Sequence, residues 1–244
     1  MVIKDRRTKI LLSLILLSDV NFTNVNFDNT LQSVFDLTLN QKTKGTISGM
    51  LREEKIKSET SGSYQLTEKG FYTLCLKFPF FRFLRDTWDG KLRILSYEIP
   101  EKKRELRDRL RREISGWGLG PWHRSFWLTP HPIIENLRTL VYQKEEEQYL
   151  QAFESKHVAG NLDILIEKVW QKSILDKKYR DLFKTWHGIL SGGEEKLAKF
   201  RIVVNQYVEI LKSDPGLPPE LIGKNWIGFE AFSIFKEIRS ILLS

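Results

Sequence analysis

The pattern of hydrophobic positions over the first 87 residues predicts three helices followed by a hairpin and a fourth helix. Apolar residues fill the run 10–17 almost completely, which is typical of a buried helix over about 5–18. Asp28 and Asn29 stand before apolar residues at helical spacing and are suited to cap a second helix. The N-terminal region is therefore expected to begin as a small helical core.

The period of the pattern changes after the third helix, which is expected over about 41–54. Residues 56–60 and 64–67 have the composition of strands and flank a Gly-containing turn at 61–63. A fourth helix is expected to start after Thr67, whose hydroxyl is suited to cap it. Three helices and a two-stranded ribbon in this order predict a winged helix-turn-helix domain.

A winged helix-turn-helix domain indicates binding to double-stranded DNA. Its third helix is narrow enough for the major groove, and its ribbon lies along the phosphates. The apolar residues of the third helix follow i, i+3, i+4 spacing, which leaves its basic residues exposed. The predicted DNA-binding residues are Lys42, Lys44, Ser48, Arg52, Lys55, Lys57, Ser61 and Tyr64. The alternative is a winged helix that contacts only other proteins.

Beyond a boundary near residue 87, the pattern predicts a second domain in the order βαββαβ, which is that of a ferredoxin-like fold. The expected elements are a strand at 92–99, a helix at 101–115, strands at 119–123 and 125–129, a helix from Pro132 to about 144 and a strand at 149–154. From about residue 160 the spacing is helical throughout. The fold class is therefore α+β, with a winged helix at 1–87, a ferredoxin-like domain at 88–158 and a helical domain at 159–244.

Composition narrows the partners rather than the fold. The 244 residues carry a net charge of +8, and this basic surplus favours an anionic partner such as DNA. Cys75 is the only cysteine, so no intramolecular disulfide can form, as is usual in a reducing cytoplasm. Basic residues before the run 10–17 imitate a secretory signal, but the run is too short to span a bilayer and no small-residue cleavage motif follows. We expect a cytoplasmic protein with no membrane partner.

Three groups of residues along the chain carry a more specific signal. They are Trp88-Asp89-Gly90-Lys91-Leu92-Arg93 with Tyr97-Glu98-Ile99-Pro100-Glu101-Lys102, then Leu106–Arg112 with Gly118-Leu119-Gly120 and Phe126–Pro130, and finally Ser213–Leu221 with Trp226. No single group is diagnostic, but in this order they resemble the PaaX family of transcriptional repressors. The expected order of domains matches that family as well, so the resemblance covers nearly the whole chain.

The resemblance implies a homodimeric repressor with an N-terminal winged helix. It implies a central domain similar to the small CRISPR-associated spacer-acquisition nucleases. It further implies release from DNA by a small effector, since the best-known members control aromatic acid catabolism and respond to an aryl-acetyl-CoA. The third helix and wing here carry fewer arginines than those of family members, which leaves the operator and the effector open. An acyl-CoA-like molecule is the candidate effector.

An arginine-rich helix with nearby aromatic residues is the candidate effector site. Guanidinium groups bind phosphate oxygens through two parallel hydrogen bonds, which suits the phosphates of a CoA-like ligand. The candidate effector- or phosphate-binding residues are Arg104, Arg107, Arg111 and Trp127. The alternative is a solvated helix face, in which Glu105 pairs with Arg109 and Asp108 with Arg112 at i, i+4 spacing.

The main alternative function is a metal-dependent nuclease built on the central domain. In the related nuclease fold an acidic residue in the region of Glu98 binds metal, but here Glu98 stands without an obvious second carboxylate, and two-metal chemistry needs several converging oxygen ligands. His123 and His131 lack metal-ligand spacing, and the sequence has no Gly-rich phosphate loop. We therefore predict no enzymatic activity, no catalytic residue, no metal site and no cofactor.

Overall fold

The structure is a computed structural model that describes residues 3–18, 25–26, 29–60, 62–123 and 125–244. In these residues, α-helices combine with two antiparallel sheets, so the predicted α+β class is confirmed. Within the same ranges, no helix has both the length and the apolar composition that crossing a bilayer requires.

The N-terminal elements follow the predicted order closely. They are α1 (Arg6–Leu17), β1 (Val25–Asn26), α2 (Asn29–Phe35), α3 (Gln41–Arg52), β2 (Ile56–Thr60), β3 (Ser63–Leu66) and α4 (Glu68–Cys75). Helix α1 is buried continuously from Ile10 to Leu16, which confirms the predicted buried first helix. Asp5 caps α1 by accepting a hydrogen bond from the backbone N–H of Thr8.

The small N-terminal sheet contains a strand that the sequence pattern does not predict. Its order is β1-β3-β2, so β3 pairs both with its hairpin partner and with β1. Val25 faces Tyr64 and Asn26 faces Ser63 across the β1–β3 ladder. A strand of two residues is too short to show alternation, and for that reason its sequence carries no strand signal.

The central elements also lie where the pattern predicts them, with ends shifted by a few residues. They are β4 (Leu92–Tyr97), α5 (Arg104–Ile114), β5 (Gly120–His123), β6 (Phe126–Thr129), α6 (Ile134–Val141) and β7 (Leu150–Ser155). The sheet order is β5-β6-β4-β7, and every neighbouring pair is antiparallel. On one face of this sheet, Leu95 and Tyr97 belong to a core that includes Leu110 of α5 and Leu137 of α6.

The C-terminal part is helical, as predicted. Its helices are α7 (Leu162–Trp170), α8 (Lys172–Ser191), α9 (Lys196–Ser213), α10 (Pro219–Ile222) and α11 (Ile227–Leu243). Gln171 adopts a left-handed conformation with φ of 52° and separates α7 from α8. Three rings pack the later helices together, because Trp186 lies against Tyr207 and Phe235, and Tyr207 stacks on Phe235 with centroids 4.8 Å apart.

By their internal contacts the residues form two compact units, each discontinuous in sequence. The first unit consists of Met1–Cys75, Asp176–Lys212 and Asn225–Ser244, and the second of Leu76–Leu175 and Ser213–Lys224. Within the first unit, Arg239 of α11 donates hydrogen bonds to the carbonyl oxygens of Leu16 and Ser18. The three successive domains at 1–87, 88–158 and 159–244 stay a prediction.

Candidate nucleic-acid interface

Hydrogen bonds fix α3 at its N-terminus. Asn40 is the N-cap, and its side chain accepts from the backbone N–H of Thr43 at 3.0 Å. The Thr43 hydroxyl in turn donates to the carbonyl oxygen of Thr38 at 2.7 Å. Since Thr43, Ile47 and Met50 are all buried, one face of α3 is held against the core and the other faces outward.

The outward face of α3 carries the predicted contact residues. Lys42, Lys44, Ser48 and Arg52 are all exposed. At 100° per residue, Lys44, Ser48 and Arg52 fall on one stripe and Lys42 lies beside it. Among the residues that the structure describes, Lys42, Lys44 and Arg52 form no ion pair, so their charges are available to an anionic ligand.

Gly45 lies on the same exposed stripe of α3. A Cβ atom added there would meet nothing within 4 Å, so no contact within the described residues requires a glycine at this position. Glycine inside a helix costs about 1 kcal/mol relative to alanine. The bare backbone at Gly45 is therefore where a partner can approach α3 most closely.

Glu53, which follows α3, binds two basic residues. Arg7 donates to its carboxylate at 2.7 Å, and the ammonium of Lys55 lies 2.8 Å from the same oxygen. Hydrogen bonds from Arg7 and then Lys55 lower the pKa of Glu53 to about 2. Lys55, a predicted phosphate contact, is thus already paired, and Arg7 is a basic residue beside it that the sequence prediction missed.

The ribbon formed by β2 and β3 holds the remaining predicted contacts. Lys57 is exposed and pairs with Glu59 at 2.9 Å, two residues further along the same strand. Tyr64 is half-buried on β3 and faces Ser58 across the ladder. Ser61 lies outside the described residues. The i, i+2 spacing of Lys57 and Glu59 was a visible signal that this lysine is partly neutralised.

A close backbone approach fixes the base of the ribbon against α4. The Thr67 hydroxyl accepts from the N–H of Gly70 at 3.1 Å, which confirms the predicted cap, and donates to the carbonyl oxygen of Glu54 at 2.6 Å. A Cβ atom on Gly70 would lie 1.9 Å from the carbonyl oxygen of Lys55. Only glycine fits this position, so the ribbon base and α4 keep a fixed separation.

Two of the candidate effector residues, Arg104 and Arg107, form ion pairs with neighbouring carboxylates. The Arg104 guanidinium lies 3.6 Å from the carboxylate of Asp108, and Arg107 donates to Glu101 at 2.8 Å. The hydrogen bond from Arg107 lowers the pKa of Glu101. These pairs support the interpretation of the exposed side of α5 as a solvated, largely neutralised surface.

The partners on α5 differ from the expected i, i+4 pairs. Arg109 pairs with the buried Glu146 at 2.7 Å rather than with Glu105, and Asp108 pairs with Arg104 rather than with Arg112. Burial acts to raise the pKa of Glu146, but hydrogen bonds from Arg109 leave it below the ordinary value. Local helical spacing was outweighed here by a carboxylate 37 residues away in the chain.

Arg111 and Trp127 are brought together by Tyr97, which the sequence prediction did not include. Arg111 donates through Nε to the Tyr97 hydroxyl at 2.8 Å, and its guanidinium lies 5.9 Å from the centre of the ring. Trp127 stacks on Tyr97 with an interplanar angle of 17°. The buried indole N–H of Trp127 has no hydrogen-bond partner within the described residues.

Glu98 lies exposed just after β4, where its backbone N–H donates to the carbonyl oxygen of Tyr149 at 3.0 Å. In the described residues, no group of three or more His, Cys, Asp or Glu side chains is placed to hold a metal ion. The geometry around Glu98 therefore gives no support to metal-dependent cleavage of DNA.

The residues at 88–93 that carry the family resemblance have a structural role. The Arg93 side chain is only 4% exposed. It donates to Asp89 at 2.9 Å, to Glu154 at 3.0 Å and to the carbonyl oxygen of Pro130 at 3.0 Å. A buried guanidinium with this many acceptors joins the start of β4 to β7 and to the end of β6.

Two other groups that carry the family resemblance, at 118–120 and 213–221, meet around His131. The carbonyl oxygen of Pro215 lies 2.7 Å from Nε2 of His131, and a Cβ atom on Gly118 would lie 2.4 Å from the imidazole. Gly216 has φ of 62°, and its Cβ atom would lie 2.2 Å from the carbonyl carbon of Pro79. Both glycines are therefore required by close packing.

The chain is similar over most of its length to a protein of known structure. It is similar to an uncharacterized protein of known structure from Mycobacterium tuberculosis, with 14% sequence identity, a TM-score of 0.48, and coverage of 96% of this chain and 97% of that chain. No protein with curated annotation matches it significantly.

Two family models match the central and C-terminal parts of the chain. Residues 85–164 match the PaaX protein central Cas2-like domain, and residues 170–244 match the PaaX-like protein C-terminal domain. These two ranges cover more than half of the chain and stand in the order that the sequence resemblance predicts. The chain belongs to the PaaX family.

Proposed function

We propose that this protein is a transcriptional repressor that binds double-stranded DNA through an N-terminal winged helix. Membership of the PaaX family indicates a transcriptional regulator. Binding to DNA through α3 is proposed because Lys44 and Arg52, on the exposed stripe of this helix, have no ion-pair partner in the described residues. A helix that presents unpaired cations beside a bare glycine suits the major groove of an anionic duplex.

The order of the N-terminal elements supports the winged-helix arrangement. Three helices precede the β2–β3 ribbon, and α3 is anchored by its apolar face while its polar face is free. In such a domain, Lys42, Lys44, Ser48 and Arg52 meet base edges and phosphates in the groove. Lys55, Lys57, Ser61 and Tyr64 lie along the flanking phosphates.

The central region supports a ferredoxin-like domain. Its elements follow the order βαββαβ, and its antiparallel sheet has the two strands β4 and β6 at the centre. The proposed domain bounds are 1–87 for the winged helix, 88–158 for this domain and 159–244 for the helical domain. The matched central-domain family is itself described as Cas2-like.

Repression by this protein is proposed to require a homodimer in the cytoplasm. Two copies place two recognition helices about one turn of the duplex apart, on a pseudo-palindromic operator. An acyl-CoA-like effector would release the DNA if it binds more tightly to a dimer geometry that no longer fits the half-sites. Since Arg104 and Arg107 are ion-paired, Arg111 and Trp127 are the stronger candidates on α5 and β6 for contact with that effector.

The decisive experiment is a selection of bound duplexes from random sequence, followed by titration of the selected duplex. The Lys44→Ala/Arg52→Ala double variant should bind at least about tenfold more weakly, because each contact in the groove is worth about 1–3 kcal/mol. The matched control is Lys177→Ala/Lys196→Ala, which removes from α8 and α9 two exposed cations that form no ion pair with any described residue. The proposal is wrong if both double variants bind equally, or if the unaltered protein selects no duplex at low salt.

A further inference from the structure

A cavity of about 520 Å³ lies on the face of the four-stranded sheet opposite α5 and α6. Leu92 and Ile94 alternate along β4 with the core residues Leu95 and Tyr97, so they face away from that core. The apolar walls of this sheet cavity are formed by Leu92, Ile94, Trp122, Leu128, Ile164 and Leu165. Its volume falls within the range of pockets that bind small organic molecules.

The charges around the sheet cavity are all of one sign. Lys156 and Lys168 belong to its lining, and no Asp or Glu of the described residues does. Both lysines are exposed, and neither forms an ion pair within the part of the chain that the structure describes. Glu154, the nearest carboxylate along β7, points to the other side and is held by Lys91 and Arg93. The cavity thus combines apolar walls with an uncompensated positive rim.

We propose that the sheet cavity binds a small apolar anion, namely an aromatic or branched aliphatic carboxylate. The walls remove the hydrocarbon part from water, and Lys156 and Lys168 attract the carboxylate at the rim. Its role as an effector site rests on the proposed regulator function, whereas the binding itself does not. The site is separate from the candidate residues on α5, none of which lines the cavity.

The first test compares three ligands that share one ring system and carry a negative, a neutral or a positive substituent at the same position. Isothermal titration of the full chain with naphthalene-2-carboxylate, 2-naphthalenemethanol and 2-naphthylmethylammonium should give the tightest binding for the carboxylate and the weakest for the ammonium. The same ring linked to CoA as a thioester then shows whether the site takes the free acid or its activated form. The proposal is overturned if the carboxylate does not bind, or if the ammonium binds as tightly.

The second test places a charge in the wall without disturbing the fold. Ile164 is 66% exposed in the first turn of α7, where a glutamate is favourable for a helix. Ile164→Glu should weaken carboxylate binding at least about tenfold relative to Ile164→Gln, through like-charge repulsion. Lys168→Gln should weaken it about twofold to fivefold, while Lys224→Gln, which removes an exposed lysine outside the cavity, should leave it unchanged.

Equal binding by the glutamate and glutamine variants would place the ligand elsewhere and overturn the proposal. So would a dimer that Ile164→Glu dissociates in sedimentation while no carboxylate binds, because the face would then be covered by a second copy of the chain. The DNA titration separates the two proposals. A protein that binds DNA but no carboxylate contradicts only the sheet cavity, and the reverse result contradicts only the DNA-binding function.

Discussion

Nε2 of His131 lies 2.7 Å from the carbonyl oxygen of Pro215, 84 residues further along the chain. That hydrogen bond requires the proton on Nε2, and Nδ1 is buried without a partner among the described residues. Burial lowers the pKa of His131 to about 3, and the charges of Arg82 and Arg93 act in the same direction. The imidazole is therefore neutral at physiological pH, and folding depends on its staying so.

Stability is expected to decrease as the pH falls below about 6.5, the ordinary pKa of histidine. Below that pH the unfolded chain takes up a proton on His131, whereas the folded chain does so only near pH 3. The free energy of unfolding therefore falls by up to about 1.4 kcal/mol for each pH unit. Urea unfolding between about pH 6.5 and about pH 4.5 measures this slope above the range of most carboxylates. His131→Gln keeps a side-chain N–H donor and should flatten the slope; an unchanged slope would assign it to other groups.

Gly216→Ala should destabilise the fold more than Gly223→Ala. Both glycines have positive φ, of 62° and 95°, and a side chain in such a conformation costs about 1–3 kcal/mol. Only at Gly216 would the added Cβ also collide with the backbone, 2.2 Å from the carbonyl carbon of Pro79. Chemical denaturation measures both losses. Equal losses would show that Pro79 can move away at little cost.

Gly45→Ala should have opposite effects on folding and on DNA binding. It should raise the free energy of unfolding by about 0.5–1 kcal/mol, because it replaces an exposed helical glycine. It should also weaken binding to the selected duplex if the partner approaches this backbone. Gly188→Ala in α8 is the matched control, since its Cβ also meets nothing within 4 Å. A DNA affinity unchanged in both variants would exclude close approach at Gly45.

Glu59→Gln should strengthen DNA binding, because Glu59 neutralises Lys57 on the ribbon. Freeing one phosphate contact per protomer steepens the dependence of log affinity on log salt by up to about 0.9. Titrations at several salt concentrations give this slope directly. Glu237→Gln, which removes an exposed carboxylate from α11, is the control. If both variants respond alike, the effect reflects total charge and the ribbon has no special part in it.

Elements with a strong amphipathic pattern were predictable from the sequence, and α3 is the best example. Its start near residue 41, its buried Ile47 and Met50 and its exposed Lys44 and Arg52 all follow from residue spacing, whereas the Asn40 cap was not predicted. The same reasoning placed the strands of the central sheet. Such patterns are local, because each helix or strand repeats the direction of the core every few residues.

Long-range pairs were not predictable in this way. Spacing along α5 favoured Glu105 as the partner of Arg109, whereas the folded chain supplies Glu146. Similarly, nothing near His131 in sequence indicates that Pro215 satisfies its imidazole. Composition and periodicity describe which side of an element is buried, but they do not say which distant element covers it.

Hydrogen bonds from the C-terminal helices to the N-terminal elements also affect biosynthesis. Arg239 binds the carbonyl oxygens at the end of α1, and Arg201 of α9 donates to Asp36 at 2.9 Å. A ribosome releases α1 long before either arginine has been translated. During synthesis the N-terminal elements therefore lack these hydrogen bonds until α9 and α11 have been translated, and the partly bonded chain is exposed to chaperones and proteases for that time. An isolated N-terminal fragment would lack the hydrogen bonds from Arg201 and Arg239 permanently.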